Sequence, residues 1–262
     1  MKLNIENKWA LVTGGANGIG EAITEALARE GVNIVVTSRN SGFIKNIKKN
    51  FSKYNVSIDG IVVDFLKNNW SKSFCKKISK YKFDILVNNA GHNLEITDPY
   101  CSIKDWEKII KLNFYTTVEI TNMVINNMKQ KGWGRIVNIS SVAALENMGP
   151  VTYCVAKSAT TVYSHVMGRI LATENKNIVM TCVLPGVVKT LNGHWQKIIK
   201  KNPRVAKKYL KERCPLGRFG DAKEVADVVA FYCSDLASFC HGAIVSVDAG
   251  QSRNYMSHNY LK

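Results

Sequence analysis

Thr13-Gly14-Gly15-Ala16-Asn17-Gly18-Ile19-Gly20 stands between an apolar run, Trp9–Thr13, and a segment whose apolar residues Ile19, Ala22, Ile23, Ala26 and Leu27 recur at helical spacing. Its glycines permit a tight turn and let phosphate oxygens reach main-chain N–H groups. The helix that follows adds partial positive charge at its N-terminus, which favours an anion there. A strand, a glycine turn and a helix in this order predict a βαβ unit that holds a dinucleotide pyrophosphate. The residues nominated for that contact are Gly14, Asn17, Gly18 and Ile19.

The same alternation continues along the chain. Strands are expected at Trp9–Thr13, Asn33–Ser38, Ser57–Val63, Asp84–Asn88, Gly134–Ser140, Ile178–Leu184 and Ala243–Val247. Helices are expected near Gly20–Glu30, Ser41–Tyr54, Ser71–Lys80, Ile103–Lys131, Val151–Glu174 and Ala222–Ser234. Strands this apolar are buried on both faces, so the fold class is α/β: a Rossmann-type, doubly wound, seven-stranded parallel sheet flanked by helices. No Pro/Gly/Ser linker or repeat divides residues 1–262, which read as one domain. Ligands of such a sheet gather beyond the carboxyl ends of its strands. The polar, basic stretch Asn192–Arg213 interrupts the alternation on that side, and 191–214 is expected to form a lid over the substrate.

Bulk properties narrow the class. Hydrophobic content of 46% and charged content of 21% are those of a globular protein. Met1–Lys8 lacks the apolar stretch of a signal peptide, and no run of about 18 uncharged apolar residues exists. Seven cysteines with no Cys-x-x-Cys and no Cys/His cluster at zinc spacing suit a reducing cytoplasm and no metal. The net charge of +16 admits an anionic partner. Its lysines (Lys45, Lys48, Lys49, Lys67, Lys72, Lys76, Lys77, Lys80, Lys197, Lys200, Lys201) read as spread out rather than gathered in one block. With no recognition motif for nucleic acid and no spanning helix, neither nucleic acid nor membrane is expected as a partner.

Two further sites carry chemistry. The second strand ends Val35-Val-Thr-Ser38-Arg39, where a carboxylate would hydrogen-bond an adenosine ribose and repel a 2′-phosphate. A hydroxyl beside a guanidinium suits that phosphate, so NADP(H) is preferred and NAD(H) is possible. Tyr153 and Lys157 lie four apart in a helical stretch and so share a face. An ammonium there is expected to lower the phenol's pKa from its usual value of about 10 and fit it for proton transfer. Cys154, next to the Tyr, points about 100° away and reads as a buried small residue. His92, Asn93, His194 and Trp195 are candidates for the substrate entrance.

Thr13-Gly-x-x-x-Gly-x-Gly20, Asn88-Asn-Ala-Gly91 and Tyr153-x-x-x-Lys157, in that order and spacing, resemble the short-chain dehydrogenase/reductase family, most of all its 3-oxoacyl-carrier-protein reductases. The likeness extends to Pro215-Leu-Gly-Arg-Phe-Gly220 and Val247-Asp-Ala-Gly250. It implies that Asp64, with Phe65 beside it, meets the adenine, and that Asn89, Ala90 and Gly91 face the cofactor ribose. It implies that Asn113 holds a water of a proton relay and that Lys157 binds the nicotinamide ribose. Pro185, Gly186, Val188 and Thr190 would then anchor the carboxamide. The catalytic serine is less settled: Ser141 has the family's place in the motif, and Ser140 has its usual separation from the Tyr. Neighbouring strand residues face opposite ways, and a loop shorter by one residue is easier to accommodate than a shifted register, so Ser141 is expected.

The reaction expected is hydride transfer between nicotinamide and a carbonyl or secondary alcohol. Ser141 would polarise the oxygen, Tyr153 supply the proton, and Lys157 with Asn113 restore it. A 3-oxoacyl thioester is the expected substrate; a sugar, polyol or cyclic alcohol is the alternative. A dinucleotide-binding protein without turnover is the reading from another class. The resemblance further implies a homotetramer, or a dimer, built on the helices near Ile103–Lys131 and Val151–Glu174.

Overall fold

The computed structural model describes residues 2–146, 149–191 and 193–253, with His194 described in its backbone alone. In chain order the elements are β1 (Trp9–Val12), α1 (Gly18–Arg29), β2 (Asn33–Ser38), α2 (Ser41–Asn50), β3 (Ile58–Val62), α3 (Trp70–Ile78) and β4 (Ile85–Asn88). There follow α4 (Ile103–Ile110), a π-helical turn (Lys111–Tyr115), α5 (Thr116–Lys131), β5 (Gly134–Ile139), α6 (Ala143–Glu146), α7 (Val151–Glu174) and β6 (Ile178–Pro185). The chain continues with β7 (Val188–Lys189), α8 (His194–Lys201), α9 (Pro203–Arg213), β8 (Gly220–Asp221), α10 (Ala222–Tyr232), a 3₁₀ turn (Asp235–Ala237) and β9 (Ile244–Val247).

Seven strands form one sheet in the order β3-β2-β1-β4-β5-β6-β9, and every pairing is parallel. The order reverses between β1 and β4, so the crevice for a dinucleotide opens there. Apolar side chains on one face of the sheet pack with α1 and α10, and those on the other with α3 and α5. Strands β4, β5 and β6 are buried at every residue, which is why their sequences are mostly apolar and do not alternate with exposed polar residues.

Each expected strand forms, and β2 and α7 have the bounds read from the sequence. The expected helix over 103–131 is divided by its π-turn, which inserts one extra residue into the hydrogen-bond ladder. The two-residue pair β7–β8 is too short for any periodicity to reveal. At the opposite end of the sheet from the crevice, the fully buried Arg135 donates to the carbonyls of Ser234, Gly134 and Asn177. It thereby ties β5 to the turns before β6 and β9.

Candidate active site

The glycine turn is built against the end of β4. The Thr13 hydroxyl accepts hydrogen bonds from the backbone N–H groups of Asn89 and Ala90, both at 2.9 Å. The Asn89 amide in turn donates to the carbonyls of Thr13 and Gly14. Gly14 and Gly18 have φ of +61° and +60°, a region other residues rarely enter. A Cβ at Gly20 would collide with the Gly14 carbonyl, so the turn closes only because that position lacks one. No side chain caps the first turn of α1, and Asn17 at its N-cap is exposed. The cradle therefore fits a pyrophosphate: it has a dipole, unshielded backbone and no side chain in the way. Thr190 stands across from Gly18, whose added Cβ would lie 3.5 Å from the threonine's Cβ.

At the end of β2 the Ser38 hydroxyl accepts from the Asn40 N–H, while Arg39 is exposed and forms no ion pair among the described residues. A 2′-phosphate would find a guanidinium there uncommitted to any carboxylate. Asp64 accepts from the Leu66 N–H and is half-buried. Phe65 departs from its expected role: its ring is in the core, edge-on to Trp70 and Phe74. Only its main chain is left for a cofactor.

Gly91 is the point where the reacting groups converge. A Cβ there would fall 2.7 Å from Asn113 Oδ1 and 2.9 Å from Lys157 Nζ. Asn113, in the π-turn, accepts from the His92 N–H and donates to the His92 and Ile109 carbonyls. Its side chain thus clamps the loop after β4. Its own carbonyl accepts from the Thr160 hydroxyl.

The two candidate serines have separate fates. Ser140 is buried; it donates to the Lys157 carbonyl and accepts from the Thr161 hydroxyl, which braces α7 against β5. Ser141 points the other way: its hydroxyl accepts from the Ala143 N–H and acts on the Tyr153 phenol, whose pKa it holds down. Strand alternation accounts for the split.

Electrostatics correct one expectation. Lys157 does not lower the Tyr153 pKa. Burial pushes the phenol up to about 12, and the Ser141 hydrogen bond opposes this only in part. The ammonium lies 5.7 Å from the centre of the phenol ring and donates to the Ile139 carbonyl at 2.8 Å. Burial also draws Lys157 down to about 8, because a charge is costly in a low-dielectric interior. Cys154 is buried with its thiol pushed up by desolvation, as a core residue should be.

Beyond β6, Pro185 is buried and its carbonyl accepts from the Val142 N–H. Gly186 leaves no room for a Cβ beside Asp248, and the Gln251 amide oxygen accepts from the Val187 N–H. Gln251 also donates to the Tyr209 hydroxyl, a link between this loop and α9 that no motif signalled. Val188 pairs with Gly220 in the small sheet. The segment expected as a lid forms α8 and α9, with Trp195 packed on Tyr209 and Phe219 at 4.3 and 5.2 Å between ring centres. Across the entrance Lys197 meets Glu95 at 3.4 Å. Leu94 and Glu95 both have positive φ, and the backbone there is held by His92 Nδ1 and Asn93 Oδ1. Asn192 and the His194 side chain lie outside the described residues. Among the described residues no group of His, Cys, Asp and Glu could hold a metal, and no helix is long and apolar enough to cross a membrane.

A family model described as enoyl-(acyl carrier protein) reductase matches residues 14–252. The chain belongs to the short-chain dehydrogenase/reductase family. It is an oxidoreductase of alcohol and carbonyl groups. This short-chain reductase is 34% identical over 254 residues to a 3-oxoacyl-[acyl-carrier-protein] reductase of Aquifex aeolicus, covering 95% of this chain and 99% of that protein. It is 31% identical to a tropinone reductase homolog of Arabidopsis thaliana, covering 97% and 96%. Its fold matches that of L-sorbose reductase from Gluconobacter frateurii, solved with NADPH and L-sorbose, with a TM-score of 0.87 and 27% identity over 97% of this chain and 99% of that one. Similar identities thus accompany thioester, alkaloid and sugar names.

Proposed function

We propose that this chain is an NADP(H)-dependent reductase of 3-oxoacyl thioesters. The observation that carries the chemistry is the grouping of the Ser141 hydroxyl, the buried Tyr153 phenol and the buried Lys157 ammonium where β5 and the start of α7 meet. Gly14, Asn17, Gly18 and Ile19 would hold the pyrophosphate, Ser38 and Arg39 the 2′-phosphate, and Asp64 with the Phe65 backbone the adenine. Asn89, Ala90 and Gly91 would face the ribose, with Tyr153 and Lys157 near the nicotinamide. Pro185, Gly186, Val188 and Thr190 would fix the carboxamide. When bound, the cofactor supplies the hydride.

The residues supply the proton. Ser141 donates to the carbonyl oxygen as negative charge grows there. An alkoxide is roughly as basic as hydroxide and far more basic than a phenolate. A phenol near 12 is therefore still acid enough to protonate it. The resulting tyrosinate is more basic than the amine of Lys157, at about 8, so a proton leaves the ammonium readily. Amine, phenolate and alkoxide form a series of rising basicity, so each proton transfer in the direction of reduction runs downhill. Asn113, whose side chain lies beside Lys157 Nζ at Gly91, would hold the water that reconnects Lys157 to solvent.

Replacing the Arg39 guanidinium tests the cofactor assignment. Arg39→Ala should weaken NADPH binding by about 10–100-fold, the worth of a charge-assisted contact of about 1.5–3 kcal/mol, and leave NADH nearly unchanged. Titration by cofactor fluorescence measures both; an equal loss for the two would remove Arg39 from the site. A sugar ketone is the second reading, favoured by the L-sorbose reductase likeness. Turnover of L-sorbose but not of an acetoacetyl thioester would select it.

Assembly follows the apolar stripe on α7. Val151, Val155, Val162, Val166 and Ile170 are all exposed, at spacings that place them along one face. A second copy packed there, helix to helix, would bury them, consistent with a dimer or tetramer. Val162→Glu should then shift sedimentation toward the monomer, and an unchanged sedimentation coefficient would refute that interface. Seven unpaired cysteines suit a cytoplasmic setting.

A further inference from the structure

Three hydroxyls stand where the packing of α7 calls for apolar side chains: Thr160, Thr161 and Ser164 are all buried. A buried hydroxyl is costly unless it is hydrogen-bonded, so each is understood by what it holds. Ser164 donates to the Thr160 carbonyl of its own helix and accepts from the Asn138 amide on β5. Thr161 donates to Ser140, which in turn donates to the Lys157 carbonyl. These two tie α7 to the sheet.

Thr160 faces elsewhere, because successive residues of a helix point about 100° apart. Its hydroxyl lies 3.1 Å from the Ala156 carbonyl and 3.0 Å from the Asn113 carbonyl. The first contact is the ordinary back-bond of a helical threonine to the residue four before it, and needs nothing across from it. The second leaves the helix. Among the described residues it is the one hydrogen bond between α7 and the π-turn, flanked by the edge-on contact of Phe114 with Tyr163.

That bond falls where the two elements bring their polar groups together. Thr160 is three residues beyond Lys157 and shares its face of the helix. Lys157 Nζ and Asn113 Oδ1 both lie within 2.9 Å of one point, the position a Cβ would take at Gly91. One water can span such a separation. The π-turn is held from two other sides: Lys111 Nζ donates to the Leu66 carbonyl at 3.1 Å, and the Asn113 side chain clamps His92. Neither contact reaches α7. From the helix side, the spacing of Asn113 and Lys157 is set by Thr160. Each carbonyl reduced takes one proton from Tyr153 and Lys157, and one must return from solvent before the next turnover. The first turnover does not wait for that return; every later one does.

We propose that Thr160 is a positioning residue for the returning proton: its hydroxyl holds the π-turn against α7 at the separation across which Lys157 is recharged. This inference rests on the Asn113 relay read above and adds the residue that keeps it in register.

The test compares the whole protein with Thr160→Val, which keeps the shape and removes the hydroxyl, and with Thr160→Ser, which keeps the hydroxyl. Each is measured with NADPH on a ketone that the parent reduces, in a single turnover with enzyme in excess and in the steady state. Thr160→Val should complete the first turnover within twofold of the parental rate. Its steady-state kcat should fall about tenfold, the worth of one hydrogen bond, and the solvent deuterium isotope effect on kcat should rise. KM and NADPH affinity should stay within twofold, and Thr160→Ser should restore kcat. Equal losses in the first turnover and the steady state would make Thr160 merely structural and overturn the proposal. So would a parental kcat in Thr160→Val, or a loss that serine does not rescue. Tyr153→Phe in parallel keeps the two readings apart. If it leaves the first turnover intact, the phenol is not the acid and the chemistry read above fails. A steady-state loss confined to Thr160→Val would even then support the positioning role.

Discussion

Tyr153→Phe is expected to reduce turnover by about 10²–10⁴-fold, the usual worth of a positioned acid, while NADPH affinity changes less than threefold. The substitution removes one oxygen. The ring keeps its place on α7, and the main loss is the hydroxyl itself. Ser141 can still polarise a carbonyl, so a residual rate should survive, but nothing nearby can replace the proton. Lys157 is committed to the Ile139 carbonyl and stands behind the ring. Single-turnover measurement separates this loss from product release. A variant with more than a tenth of the parental rate would show that the phenol is not the acid.

Lys157→Met should separate activity from stability. The buried ammonium has its pKa drawn from 10.5 to about 8. A depressed amine pKa means that the folded state binds the proton less tightly than the unfolded chain does. Below about pH 8 both states are protonated and the penalty on folding is full, about 3 kcal/mol by linkage. Between about 8 and 10.5 the folded state releases its proton first, and the penalty fades. Methionine has no charge to bury but leaves the Ile139 carbonyl unsatisfied, at about 1–3 kcal/mol. The variant should therefore be more stable than the parent at pH 7 in urea unfolding, by up to about 2 kcal/mol. Its advantage should shrink above pH 8 and reverse above pH 10. Its turnover should fall at least 100-fold, and the parent's reductive rate should decline as pH rises through about 8. A variant that is less stable at pH 7, or a pH-independent difference, would contradict the burial argument.

How far the sequence reaches is clearest at the residues where it stops. The glycine turn was legible because its requirements are local: Gly14, Gly18 and Gly20 are demanded by backbone angles and close approach within eight residues. The choice of Ser141 over Ser140 rested on a loop shorter by one residue being easier to accommodate than a shifted register, and the two side chains do face opposite ways. The pKa of Tyr153 was misjudged because helical spacing reports that a lysine is near, not where its proton is held. That depends on the Ile139 carbonyl, eighteen residues away. The π-turn around Asn113 shifts periodicity by one position, too little to detect. Phe65 illustrates a third limit, since its neighbour's role in the motif says nothing about which way its own ring turns.

Everything turns on whether the buried phenol delivers its proton to a carbonyl that NADPH has reduced. The most direct measurement follows NADPH oxidation by the purified chain with an acetoacetyl thioester, in parallel with Tyr153→Phe and with NADH. The expected result is turnover with NADPH, much less with NADH, and almost none in the variant. Tight NADPH binding with no oxidation of it by this thioester, L-sorbose or any other ketone offered would contradict the account.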